Sequence, residues 1–258
     1  MLDAKPAKYG SLWTREELIL AFDLYCRIPF KKTKTSNPEV CALANILGRS
    51  SAAVARKLGN FGAFDPQLKE RDISGLSHGS RLDREVWDEF HTDWNGLVLK
   101  AHKLRGKMEK AVRVPKKHAT PTGPSERISI SRQRVHQTFF REAVLSAYQW
   151  TCGITGITIH ECLVAGHIVP WSQSEEHRTD PTNGLCLSAT FHNLFDAGLL
   201  TITDDLHIRI AKEVTREVDT PNARNIFAYD GKPLHRPQRF LPSQGLLAWH
   251  RKHVFRTC

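Results

Sequence analysis

The placement of positive charge is the feature that most limits how this chain can fold. Residues 1–99 hold 14 basic and 13 acidic side chains, and residues 136–258 hold 12 of each. Residues 100–135 hold 11 basic and 2 acidic, so nearly all of the net charge of +10 lies there. A single core cannot be threaded through such a stretch, because like charges repel and must stay solvated. A helix reads from Lys100 to Val114 and then meets Pro115, Pro121, Gly123 and Pro124, which end regular structure. The chain therefore reads as α+β in two domains: a helical domain over 1–105, a basic linker over 106–135, and a second domain over 136–258. Each half is long enough for its own core. The linker, with Lys116 and Lys117, suits contact with phosphates, or it is simply a solvated connector. It has too little apolar face for a lipid surface.

Several classes are excluded. No apolar run approaches a membrane span, and Met1 to Trp13 has no apolar stretch of signal-peptide length, so no membrane partner is expected. The six cysteines are scattered and form no C-x-x-C pair. That argues against a disulfide framework and a cysteine zinc site, and for a reducing, cytoplasmic setting. No phosphate-cradling glycine loop or dinucleotide fingerprint occurs.

The first half is helical. Ser11 or Thr14 caps a helix carrying Leu18, Ile19, Phe22, Tyr25 and Cys26. Asn37-Pro38 opens a second helix that stops at Gly48, and Ser50 or Ser51 caps a third. The last two form a helix-turn-helix-like unit that would present Arg56, Lys57 and Asn60 to double-stranded DNA; an ordinary small bundle is the alternative. An acidic helix from Asp83 to Leu97 carries Val86, Trp87, Phe90 and Trp94 as core.

In the second half, FFREAVLSA is helical. YQWTCGITGITIHECLVAGHIVPWSQ then reads as two short strands, with His167 at or just after the second. His192 and Asp196 lie one helical turn apart, so on a helix they share a face. Imidazole and carboxylate together suit a divalent metal, and a neutral His suits a general base. His177 and Arg178 occupy a polar loop where Arg178 could meet phosphate. Trp171 reads as core, and Cys152, Cys162 and Cys186 as small buried residues. His250 and His253 read as a solvated helix face.

CGITG, AGHIVPWS and DPTNGLCLSATFHNLFDAGLLTI together resemble the HNH endonuclease family, in its restriction-enzyme-like branch without zinc-binding cysteines. The resemblance spans about residues 139–258. It implies a ββα-metal finger that hydrolyses DNA phosphodiesters, in a restriction-type enzyme of defence against phage, with dependence on base modification as a further expectation. His167 matches the general base, Asn183 the residue that pins the loop, and His192 and Asp196 the metal-ligand positions. Magnesium or manganese is implied, and so is a homodimer wherever both strands are cut. Two departures stand out. Gly166 occupies the place of a frequent metal ligand; either the ion is held by fewer protein ligands with waters and phosphate oxygens, or another acid such as Glu161 or Asp205 supplies the place. Cys152, Thr155, Ser188 and Phe191 stand where zinc-bearing relatives have four cysteines, so no structural zinc is expected, and Phe191, Phe195 and Leu199 would brace the finger. A DNA-binding protein that keeps the finger as a scaffold without cutting is the rival reading, and Gly166 favours it.

Overall fold

Short polar side chains start most of the helices by accepting backbone N–H groups that the first turn leaves unpaired. In the computed structural model, which describes residues 7–73, 75–76, 79–112, 124–215 and 220–256, α1 (Arg15–Arg27) opens on a capping box. Thr14 accepts from the Glu17 N–H, and the Glu17 carboxylate accepts from the Thr14 N–H. Asn37 caps α2 (Pro38–Leu47), which ends at Gly48 with φ 66°, and Ser50 caps α3 (Ser51–Gly62). Asp65 caps the short α4 (Pro66–Lys69), and Ser80 pairs with Asp83 in a second box at α5 (Arg81–Phe90). α6 (Trp94–Val112) and α7 (Pro124–Ala147) follow. The chain divides into two compact units, Met1–Glu142 and Ala143–Cys258.

In the first unit α1 is the central element, packed against α2, α3, α5 and α6. Its residues from Glu17 to Cys26 are all buried. The Phe22 ring lies 5.0 Å from Phe61 and 5.3 Å from Trp87, and Val86, Phe90 and Trp94 are buried with them. Burying each such side chain contributes roughly 1.5–3 kcal/mol.

Several expectations are corrected. The acidic helix is interrupted after Phe90, because Asp93 starts a new one: its carboxylate accepts from the Gly96 N–H at 2.8 Å and its carbonyl from the Leu97 N–H at 3.0 Å. Helix extends into both ends of the 106–135 linker. Pro124 stands at the first position of α7, where its fixed φ is favourable and its missing N–H costs nothing. Lys116 and Lys117 lie outside the described residues. Lys57 and Asn60 do not face solvent. Lys57, 9% exposed, donates to both Asp83 oxygens at 3.0 Å, and the Asn60 amide donates to the same carboxylate at 3.2 Å. Asp83 is 0% exposed and also accepts from the Ser80 N–H. These side chains join α3 to α5 and leave Arg56 as the exposed basic residue of the expected trio.

In the second unit β1 (Leu163–His167) pairs antiparallel with β2 (Gly184–Ser188), placing Gly166 opposite Leu185 and His167 opposite Gly184. α8 (Ala189–Asp196) follows directly. The partner of β1 thus comes from after the polar loop, not from the segment before it. That earlier segment turns at Cys152–Gly156 and lies against β2 through a bond from the Gly153 N–H to the Cys186 carbonyl at 2.7 Å. β3 (Leu200–Ile202) and β4 (Ile208–Ile210) form a second hairpin, followed by α9 (Lys212–Thr215), α10 (Pro221–Phe227) and α11 (Gln244–His253). Among the described residues no helix is long and apolar enough to cross a membrane.

Asp83→Ala should strand the buried Lys57 ammonium and cost about 3–5 kcal/mol in chemical denaturation. The double variant Lys57→Met with Asp83→Asn, which removes both charges and keeps the volumes, should cost much less.

Candidate active site

β1 delivers His167 to the mouth of a cleft of about 370 Å³ whose lining includes Trp171, His192, Phe195, Asp196 and His250. The loop between β1 and β2 is closed by Asn183, which is 0% exposed. The Asn183 side-chain oxygen accepts from the Val169 N–H at 2.8 Å. Its amide donates to the carbonyls of Val169 at 3.0 Å and His177 at 3.1 Å. The amide thus uses both donors and its oxygen on the two limbs of one loop. Asp180 shapes the turn into Asn183 by accepting from the Thr182 N–H and hydroxyl at 2.8 Å each.

That loop presents the Arg178 carbonyl to His167 Nε2 at 3.1 Å. A carbonyl only accepts, so Nε2 carries the proton and Nδ1 the lone pair of the neutral ring. Burial pushes His167 below its usual pKa; the Arg178 carbonyl opposes this and the neighbouring His192 adds to it. The ring is therefore a neutral base at pH 7. Trp171 meets it edge-on at 5.8 Å.

On α8, His192 Nε2 lies 3.5 Å from an Asp196 oxygen. Burial raises the Asp196 pKa, and His192 partly offsets this. Two donors at that separation suit one shared cation at ordinary bond lengths, and both open onto the cleft. The described residues hold no group of three or more His, Cys, Asp or Glu side chains that could hold a metal ion. The pair alone could hold a divalent ion, with water and phosphate oxygens as the remaining donors.

Gly166 has a spatial reason. A Cβ there would stand 2.7 Å from His192 Cδ2 and 3.3 Å from Nε2. The imidazole fills the space that a ligating side chain at 166 would need.

Other expectations are revised by burial. Arg178 does not project from the loop: its Nε donates to the Trp171 carbonyl at 3.1 Å, another nitrogen meets Glu175, and its guanidinium lies 5.0 Å from the Trp171 ring. Trp171 is half-buried at the cleft instead of in the core, and Cys162 is exposed. Cys152 is buried, and its sulfur accepts from the N–H groups of Thr155 at 3.4 Å and Ser188 at 3.2 Å, linking the turn to the end of β2. Phe191 and Phe195 are buried, and Leu199 half-buried. His253 is exposed as expected, but His250 is buried. Its ring stacks on Phe195 at 3.7 Å, Nδ1 meets the Thr201 hydroxyl at 2.9 Å, and Nε2 the Phe195 carbonyl at 3.1 Å. Burial is the main cause that lowers its pKa to about 4; the Phe195 carbonyl opposes this and Arg251 adds to it. The Arg178 carbonyl, the space at Gly166 and the His250 bracket have no mark in the sequence beyond the residue letters.

Residues 152–203 match a family model described as HNH endonuclease, and they include β1, the pinned loop, β2 and α8. The second unit thus carries an HNH endonuclease domain. A solved structure described as a modification-dependent TagI restriction endonuclease is 22% identical, covering 45% of this chain and 37% of its own, with a TM-score of 0.33. The match therefore spans well under half of that protein's length. No curated protein matches the chain.

Gly166→Ala should displace the His192 ring, seen as a shifted His192 Cδ2 resonance, while the unfolding transition changes little. His250 stays neutral in the fold down to about pH 4, whereas the unfolded chain takes up a proton below about pH 6.5. Its contribution is fully present above pH 6.5 and is lost as pH falls towards 4, on the order of 3 kcal/mol in all. Denaturation of the parent and of His250→Gln at stepped pH should show the shallower slope in the variant.

Proposed function

We propose that this protein is a metal-dependent endonuclease that hydrolyses phosphodiester bonds of double-stranded DNA, with His167 as general base. The observation that carries this reading is the His167–Arg178–Asn183 arrangement inside the HNH domain: a neutral imidazole, oriented by a main-chain carbonyl on a pinned loop, at the mouth of an open cleft. His167 Nδ1 takes a proton from water, the hydroxide oxygen attacks phosphorus, and the bond to the leaving 3′ oxygen breaks. His192 and Asp196 would hold a magnesium or manganese ion, whose charge when bound favours attack on the anionic diester and departure of the leaving oxygen. Asn183 acts as a positioning residue, keeping the loop that fixes the base.

The setting we infer is restriction-type defence against phage in the cytoplasm, with modified bases as a candidate requirement. One finger offers one base and one ion pair. A double-strand break therefore needs two copies, most simply a homodimer. A second reading, a DNA-binding protein that keeps the finger without cutting, is favoured by the two-ligand ion site and by Gly166.

Supercoiled plasmid, modified and unmodified, incubated with Mg²⁺ or Mn²⁺ separates the two. The nuclease should nick or linearise it, EDTA should stop the reaction, and His167→Ala should slow it by about 10²–10⁴-fold with the circular dichroism unchanged. Binding that survives both EDTA and the substitution, with no cleavage of either plasmid, would establish the non-catalytic reading.

A further inference from the structure

The first unit has a cleft of its own, of about 450 Å³. Its walls are the segment Lys8–Trp13 and the start of α3, with Arg49, Ser50 and Arg56. Its chemistry is cationic and aromatic. Arg49, with a side chain 4% exposed, donates to the carbonyls of Ser11 and Leu12 and to Glu17, and its guanidinium lies 4.3 Å from the Trp13 ring. The Arg49 Nε is buried and has no hydrogen-bond partner among the described residues. Lys8 sits at the rim, 45% exposed and 2.6 Å from Glu17. Glu17 thus faces two cations, which hold its pKa down against burial. Arg56 is exposed and has no ion pair among the described residues. The lining therefore carries three cations, Lys8, Arg49 and Arg56, of which the first two share the buried Glu17. Beside them Tyr9 is 71% and Leu12 92% exposed.

Lys8, Glu17 and Arg49 form an ion-pair network with a net positive charge. The cleft retains that charge at the N-terminal end of a helix, where the backbone also favours an anion, and keeps a phenol ring at the surface. We propose that this cleft is a nucleotide-binding subsite for DNA. It takes a backbone phosphate against Arg56 and the α3 N-terminus, with the buried charge of Arg49 behind them, and a base or sugar face against Tyr9. It replaces the face of α3 that Lys57 and Asn60 would have offered, because Asp83 holds both of those inward. The choice of DNA as ligand rests on the nuclease reading; the cationic and aromatic character of the cleft does not.

The test is the full chain carrying His167→Ala, so that DNA is bound and not consumed, with a fluorescein-labelled DNA duplex followed by polarisation over a salt series. Arg56→Ala should weaken binding and flatten the salt slope by about one, as for the loss of one phosphate contact. Tyr9→Ala should weaken binding by about tenfold with the slope unchanged, as for the loss of a stacking ring. Arg81→Ala, an exposed arginine on α5, is the control and should leave affinity and slope unchanged. Parental affinity and slope in both cleft variants would overturn the proposal, and so would an equal loss in the control. The same variants in the His167 background, assayed on plasmid, separate the two readings. Cleavage by the parent with binding indifferent to Arg56 and Tyr9 removes the subsite and leaves the nuclease. Binding that depends on both residues, without cleavage, removes the nuclease and leaves the subsite.

Discussion

The candidate active site depends on one buried amide. Asn183 has no exposure to water, and it joins the strand exit at Val169 to the far limb of the loop at His177. A buried amide that lost these partners would cost on the order of 1–3 kcal/mol for each unsatisfied group, so the loop has strong reason to keep one shape. That shape brings the Arg178 carbonyl to His167, and the carbonyl decides which ring nitrogen holds the proton. Which nitrogen of His167 holds the proton is thus set by main-chain geometry that a side chain sixteen residues further on maintains.

The same logic recurs at Gly166 and His192. A side chain at 166 and the present position of the imidazole are mutually exclusive, because a single Cβ would already overlap the ring at 2.7 Å. The His192 and Asp196 side chains that open onto the cleft therefore both come from α8, one turn apart. Behind them, the His250 ring stacked on Phe195 and bonded to Thr201 ties α11 to α8 and to the second hairpin. An imidazole there, kept neutral by burial, serves as a flat packing surface with two polar edges.

Much of this architecture was legible in the residues. The caps at Thr14, Asn37 and Ser50 announce their helices because a side-chain acceptor is needed at that place. The spacing of His192 and Asp196 puts them on one helical face, which α8 confirms. The pairing of β1 with residues beyond the polar loop was not legible, since β-branched residues indicate strands without naming their partners. The burial of Lys57 and Asn60 was not legible either: nothing local distinguishes a lysine aimed at DNA from one aimed at an aspartate twenty-six residues away.

The sequence alone determined the division of charge, the positions of most helices and which residues are candidates for base and metal donors. These follow from local rules: capping, periodicity and the chemistry of each side chain. Only the tertiary structure decided which polar residues are spent internally. Lys57 and Asn60 serve Asp83, Arg178 serves its own loop, and His250 serves the core, while Arg56 and Tyr9 remain exposed at a cleft. The physical reason is that burial makes an unpaired polar group expensive, and which partner satisfies it depends on segments brought together from far along the chain.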